Sequence, residues 1–362
     1  MDSNNSLIKV ENQLTTRVRQ QLDTVEKIKA LSLSDQLLIP YRKGDKWGFC
    51  NKKKEIIIPC KFDYVLYFSE GLSAVELNEK RGFIDERGNE IIPCKYDDTR
   101  SFSEGLACVK LNGKWGYIDK TGREVIDFKY DYAEGFSEGL ACVKSNRKWG
   151  YIDKTGREVI NFKYDDTRSF SEGLACVKLN GEWGYIDKTG REVIDFKYEG
   201  AENFSEGLAC VCFYISYDPV EKYNQNNIPI ELYDKWGFID KAGREVIDFK
   251  YDNTWRFSEG LACVNLNGRW GYIDKTGREV IDFKYDDARR FSEGLACVKL
   301  NGEWGFIDKA GREVIPCKYN EVFDFSHNLA TVAKKKIVNN DGEFDLSSFG
   351  SIDTEGTEYW ED

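Results

Sequence analysis

One stretch recurs along most of this chain, and its length and internal pattern limit the fold more than any other feature. Residues 106–139 show it most cleanly, as LACVKLNGKWGYIDKTGREVIDFKYDYAEGFSEG. The Gly that follows Trp, or the residue in its place, falls at Gly48, Gly82, Gly116, Gly150, Gly184, Gly237, Gly271, Gly305 and Gly350. Most intervals equal that from Gly82 to Gly116; the step to Gly237 has 19 extra and the step to Gly350 has 11 extra. A fixed period of this size marks a repeat architecture, here of nine copies.

A period of about 34 residues also suits a two-helix repeat, so the pattern inside the unit must decide. Leu106 to Leu111 and Lys114 to Asp119 are strand-like runs separated by Asn112-Gly113. Asn-Gly between two such runs is a strong hairpin signal, because a type I′ turn needs positive φ at both central residues. Asp119-Lys-Thr-Gly122 is a second turn, with Asp at its start and Gly at its end. Arg123 to Ile126 reads as a third strand. Each unit is therefore expected to be a three-stranded antiparallel meander, joined to the next by a short helical turn or an ordered loop over residues 130–139. The Gly inside the second strand is expected to leave room for an aromatic ring from a neighbour.

Residues 1–35 lie outside the repeat. Leu7, Val10, Leu14, Val18, Leu22, Val25 and Ile28 recur at intervals of three and four, the pattern of an amphipathic helix. It is read either as a lid on the first unit, as terminal repeats require, or as a docking helix. Residues 36–362 form the array, with insertions at 214–231 and 334–348. The expected fold is all-β, with about nine units in an open, curved or superhelical array; a β-propeller is the alternative. Nine blades would be many and three strands per blade few.

Net charge is −11, which disfavours a general nucleic-acid or anionic-membrane binder. The first residues lack a basic segment followed by an apolar run, so no signal peptide is expected and a cytoplasmic location is. No apolar run approaches membrane-spanning length. Of the eleven Cys, six (Cys108, Cys142, Cys176, Cys210, Cys263, Cys297) share one repeat position. Three more (Cys60, Cys94, Cys317) take a position where other copies carry Phe. Cysteine in these roles is a small buried hydrophobe rather than part of a disulfide framework.

The run Lys114-Trp-Gly-Tyr-Ile-Asp-Lys-Thr-Gly122, with Phe-Ser-Glu-Gly-Leu upstream, resembles the WG (or KWG) repeat family of bacterial proteins. The resemblance covers about residues 37–360. It implies an all-β array that serves as a binding platform, with no enzymatic activity and no defined ligand. Arg81 and Phe349 stand where the motif has Trp.

Catalysis needs unlike groups converging at one place. The one histidine, His327, lies in a degenerate copy. Cys210-x-Cys212 has no second pair to complete a metal site. Asn340 to Asp345 lacks the spacing of a calcium loop. No catalytic residue, cofactor or metal is expected. Binding is sought where the repeat varies, in the trio before each Phe-Ser-Glu-Gly. There Arg100, Arg168, Arg256, Arg289 and Arg290 form a broken basic stripe beside Trp255, and Trp and Arg are enriched at binding hot spots. The plain alternative is loop variation solvated by neighbouring Asp residues. The insertion adds Tyr214, Tyr217 and Tyr223, which suit a partner surface or simply a surface loop. A scaffold that binds a protein or peptide, perhaps a separately encoded effector, is the functional expectation. Nucleic-acid binding through the arginines and glycan binding through exposed aromatics are the alternatives.

Overall fold

The computed structural model describes residues 37–215, 233–334 and 349–361. The expected N-terminal helix lies outside these residues. The described residues form thirty-five strands, β1 to β35, and no helix. They build nine antiparallel units in series, and no sheet closes into a barrel. The third unit sets the pattern with β8 (Asp98–Thr99), β9 (Leu106–Leu111), β10 (Lys114–Asp119) and β11 (Glu124–Tyr130). They lie in the order β11-β10-β9-β8. Asn112 and Gly113 have φ of 51° and 80°, as the β9–β10 hairpin demands. In the β10–β11 turn the Asp119 carboxylate accepts from the backbone N–H of Thr121 and of Arg123, at 2.9 and 3.1 Å.

Two local expectations need correction. Each unit after the first has four strands, not three. The extra strand has two residues in all but one unit, such as Asp98–Thr99, too short to leave a periodic signal. The strand-interior Gly makes room chiefly for backbone. The β10–β11 register shifts at Gly116, and a Cβ there would stand 2.7 Å from the Ile126 carbonyl oxygen. Only at Gly350 is a ring, that of Trp360, the nearest group.

The link between units is an ordered turn. Ser103 pairs with Leu106 around Glu104 (φ 52°) and Gly105 (φ 87°). Left-handed backbone is unfavourable for Glu, and its side chain offsets that cost. Glu104 accepts from the Gly139 N–H of the next unit at 3.1 Å and pairs with Lys154 of that same unit at 3.0 Å. Ser103 donates to the Phe136 carbonyl at 2.7 Å. Glu138, Glu172 and Glu259 repeat this clasp. The Phe-Ser-Glu-Gly motif thus stitches unit to unit.

The core lies between units. Leu106, Cys108, Trp115, Tyr117 and Tyr130 of the third unit pack with Phe136, Val143 and Ile152 of the fourth, as a nearest-neighbour array requires. No disulfide joins the eleven cysteines, and those of the shared position are buried. The curvature brings the ends of the array together. Strand β1 (Ile39–Lys43) runs parallel to β35 (Glu358–Glu361), with Arg42 opposite Trp360. Arg42 Nε donates to the Phe349 carbonyl at 2.8 Å. Ile39, Tyr41 and Cys50 pack with Leu329 and Tyr359. The first and last units thus share one seven-stranded sheet, and the other seven sheets follow one another in series, as the expected open repeat array has them.

Candidate binding site

The variable trios follow the short first strands of the sheets, so equivalent residues of successive units form rows. The middle row runs Leu66, Arg100, Glu134, Arg168, Glu202, Trp255, Arg289 and Phe323. Two of its arginines meet an acid of the next unit. Arg168 Nη2 is 2.9 Å from Glu202, and Arg100 is 3.7 Å from Glu134 and bonded to the Tyr132 hydroxyl. Their guanidinium planes also cover Trp183 and Trp115. This half of the row neutralises itself.

The other half does not. Arg289 meets Phe323 where Arg168 meets Glu202. Its guanidinium lies 5.0 Å from the Trp304 ring centre and 5.6 Å from that of Phe323. Among the described residues no acceptor binds it. Trp255, one unit earlier, is 48% exposed and Phe323 is 51% exposed. Trp304 is buried, and its Nε1 has no acceptor among the described residues.

The third row continues the asymmetry. It runs Ser101, Gly135, Ser169, Asn203, Arg256, Arg290 and Asp324. Arg290 Nε is 3.1 Å from Asp324 Oδ2. Arg256 is half-buried between Asn203 and Arg290, and no hydrogen bond or ion pair holds it among the described residues. Burial pulls its pKa below the ordinary arginine value, and the charge of Arg290 adds to the effect.

Beyond Phe323 the row crosses to the first unit. There a cleft of ≈ 100 Å³ is lined by Pro40, Trp47, Tyr64, Leu66, Phe323 and Phe349. The candidate surface is thus an arc with exposed aromatics, guanidinium groups lacking acids, and an apolar cleft at one end.

The structure places all five arginines and Trp255 on these two rows but divides them between a neutralised half and an open half. Phe323 and Leu66 were legible only as variable residues. Reading each row for an acid one repeat after each Arg would have separated the halves; the cleft depends on the meeting of distant ends. The backbone of Tyr214 lies in β21 (Leu208–Ile215), which pairs with β22 (Tyr233–Asp240). Both strands run two residues longer than in other units, so the insertion leaves from a hairpin end. Tyr217 and Tyr223 lie outside the described residues. His327 is exposed and stacks on Tyr67 at 6.1 Å. Among the described residues no group of His, Cys, Asp and Glu converges to hold a metal. Nor is any helix long and apolar enough to cross a membrane.

The WG containing repeat matches residues 47–80, 82–115, 115–149, 149–183, 183–213, 236–270, 270–304 and 304–336. No curated protein matches the chain. A eukaryotic initiation factor crystal structure aligns with a TM-score of 0.59 at 11% identity, covering 89% of this chain and 94% of that one. BamB from Moraxella catarrhalis aligns at 0.42 and 11% identity, over 76% and 94% of the two chains. Hsv2p from Kluyveromyces lactis aligns at 0.42 and 10% identity, over 73% and 95%. At such identities the first likeness speaks to fold alone.

Proposed function

The chain belongs to the WG containing repeat family, and from that premise we propose that it is a non-enzymatic cytoplasmic scaffold for a protein or peptide partner. The partner lies along the arc from Trp255 to the cleft beside Leu66. One observation carries this reading: Phe323 is exposed against an Arg289 that has no acid, and Trp255 is exposed one unit earlier, in a row whose other arginines are paired. Exposed Trp and Arg beside an apolar cleft are the usual anchors of a protein interface. A nucleic-acid reader would need a continuous row of available cations, and Arg100 and Arg168 are neutralised by Glu134 and Glu202.

The test is to recover partners from the native host with the full chain and titrate the purified partner against variants. Trp255→Ala with Phe323→Ala is expected to weaken binding by roughly thirtyfold, the scale of a hot-spot loss of about 2 kcal/mol. Arg100→Ala with Arg168→Ala is expected to leave it near the wild-type value. Equal affinity in both double variants would exclude the arc as the contact surface.

A further inference from the structure

The clasp between successive units pairs an acid with a base. The Glu of Phe-Ser-Glu-Gly meets the Lys that follows the turn Asp of the next unit, from Glu70 with Lys120 to Glu259 with Lys309, at 3.0–3.1 Å. Where the ends of the array meet, both positions change sign. His327, the one histidine of the chain, takes the place of the clasp Glu, with φ of 57°. Glu86 takes the place of the Lys, following Asp85 as Lys120 follows Asp119. The two residues belong to the last unit and the second, yet they line one cavity of ≈ 130 Å³ together with Leu38, Tyr67 and Leu329. Tyr67 spans the same gap. Its ring stacks on His327, and its hydroxyl lies 3.4 Å from Thr331 Oγ1. Glu86 has no hydrogen bond or ion pair among the described residues.

The other groups around His327 favour a positive charge there. Glu293 accepts from the Asn328 N–H at 2.6 Å, at the peptide bond that follows His327, and Thr354 stands where its Lys partner would be. Ser326 Oγ lies 3.0 Å from Nδ1 of the imidazole. Burial raises the Tyr67 hydroxyl above its ordinary value, so it stays neutral. Lys52 lies in an adjoining cavity beside Asn328, with Asp353 and Glu355 to offset it. We propose that His327 and Glu86 form a sign-reversed clasp that holds the two ends of the array together when the imidazole is protonated. Imidazole is the side chain whose charge changes between pH 5 and 8, so this clasp is conditional where the Glu–Lys clasps are permanent. The sign follows from the partners. The protonated ring gains Glu86 and Glu293 only in the closed junction, so closure tightens as pH falls from 8 to 5.5 and loosens as it rises. Both His327 and Glu86 are exposed, so the effect is modest and local, an opening of β1 and β35 rather than of the whole array.

Hydrogen exchange of the full chain tests this, read by mass spectrometry on peptides covering β1 and β35 at pH 8 and pH 5.5, with the chemical exchange rate corrected for. In the wild type, protection of both strands is expected to rise roughly two- to fivefold at pH 5.5, the scale of an exposed ion pair. The turn carboxyls of Asp187 and Asp274, held down to about 2, do not titrate in this window. His327→Gln and Glu86→Gln should each abolish the rise and leave protection at pH 8 at the wild-type value. The double variant His327→Glu, Glu86→Lys restores the signs that the other units use. It should show the higher protection at both pH values, a recovery that damage from either substitution would not produce. A rise that survives either single substitution, or no rise in the wild type, would overturn the proposal. So would a double variant no better protected at pH 8 than the single ones, or a rise of equal size in the strand Leu174–Leu179, far from the junction. Loss of the rise in Glu293→Gln but not in Glu86→Gln would also overturn it, since the charge would then act within the neighbouring clasp and not across the junction.

Discussion

Gly184 lies in the strand Glu182–Asp187, opposite Val177 on one side and at the register shift against Glu192–Tyr198 on the other. A Cβ at this position would stand 2.8 Å from the Ile194 carbonyl oxygen and 3.0 Å from the Phe196 ring. A carbon ordinarily keeps about 3.3 Å from such an oxygen, so Gly184→Ala must push the neighbouring strand away by roughly 0.5 Å. The obstacle is backbone inside a hydrogen-bonded ladder, which cannot swing aside as a side chain can. Overpacking of this kind costs about 1–3 kcal/mol. The substitution also restricts the unfolded chain, which returns about 0.4–1 kcal/mol, leaving a net loss centred on about 1.3 kcal/mol, within about 0–2.6 kcal/mol. Gly135 provides the control. Its φ is not positive, and a Cβ there would meet only the Ser103 side chain, at 3.6 Å. Gly135→Ala keeps the entropic gain without the clash and should be neutral or slightly stabilising. Urea unfolding followed by tryptophan fluorescence reads both variants against the wild type. Gly184→Ala should shift the transition to lower urea and Gly135→Ala should not. Equal shifts would refute the claim that backbone proximity is the reason for glycine in the second strand.

Hydrogen bonds from the Thr189 and Thr276 hydroxyls hold Asp187 and Asp274 down to about 2, with the backbone N–H groups of each turn adding to the effect. A carboxyl depressed in the folded state stabilises above its unfolded value and loses that contribution as pH falls toward the folded one. Stability should therefore decline between about pH 4 and about pH 2, and the Asp187→Asn, Asp274→Asn double variant should decline less when urea midpoints are followed over that window. Burial pushes the thiols of Cys50 and Cys142 up to about 12, so neither should be alkylated by iodoacetamide in the native protein at pH 8. Both should be modified fully in urea; rapid native labelling, read by mass spectrometry, would contradict the packing.

The hairpins were legible because their signals are local. Asn112-Gly113 and Asp119 to Gly122 determine their turns through φ requirements and an Asp side chain that bonds its own backbone. Phe-Ser-Glu-Gly was legible as a motif but not as a clasp. Its Glu104 acts on Gly139 and Lys154, both in the next unit, and nothing in one unit announces those partners. The contact of β1 with β35 was the least legible feature. It joins Arg42 to Trp360 across nearly the whole chain, and it depends on the curvature accumulated over all the units between. The arginine rows were visible as variable positions. Which of them stay charged depends on the equivalent residue of the next unit, a comparison of rows rather than of motifs.

That dependence explains why the candidate site sits where it does. Within a unit Phe102 packs against the preceding unit while Ser103 and Glu104 bond the next one, so a ligand surface cannot be built from them without loosening the stack. The trios are exempt, but most of the described array uses them to cancel charge, as Arg168 with Glu202 does. The pattern breaks after the long insertion, where Trp255 takes the place of an acid or Arg, and again where Phe323 faces Arg289. The second break adjoins the cleft formed by the meeting of the first and last units. A uniform array offers a partner many equivalent places and therefore no address. On the peptide-binding function proposed above, two departures from the repeat, one at an insertion and one at the junction of the ends, mark the single place where the partner binds.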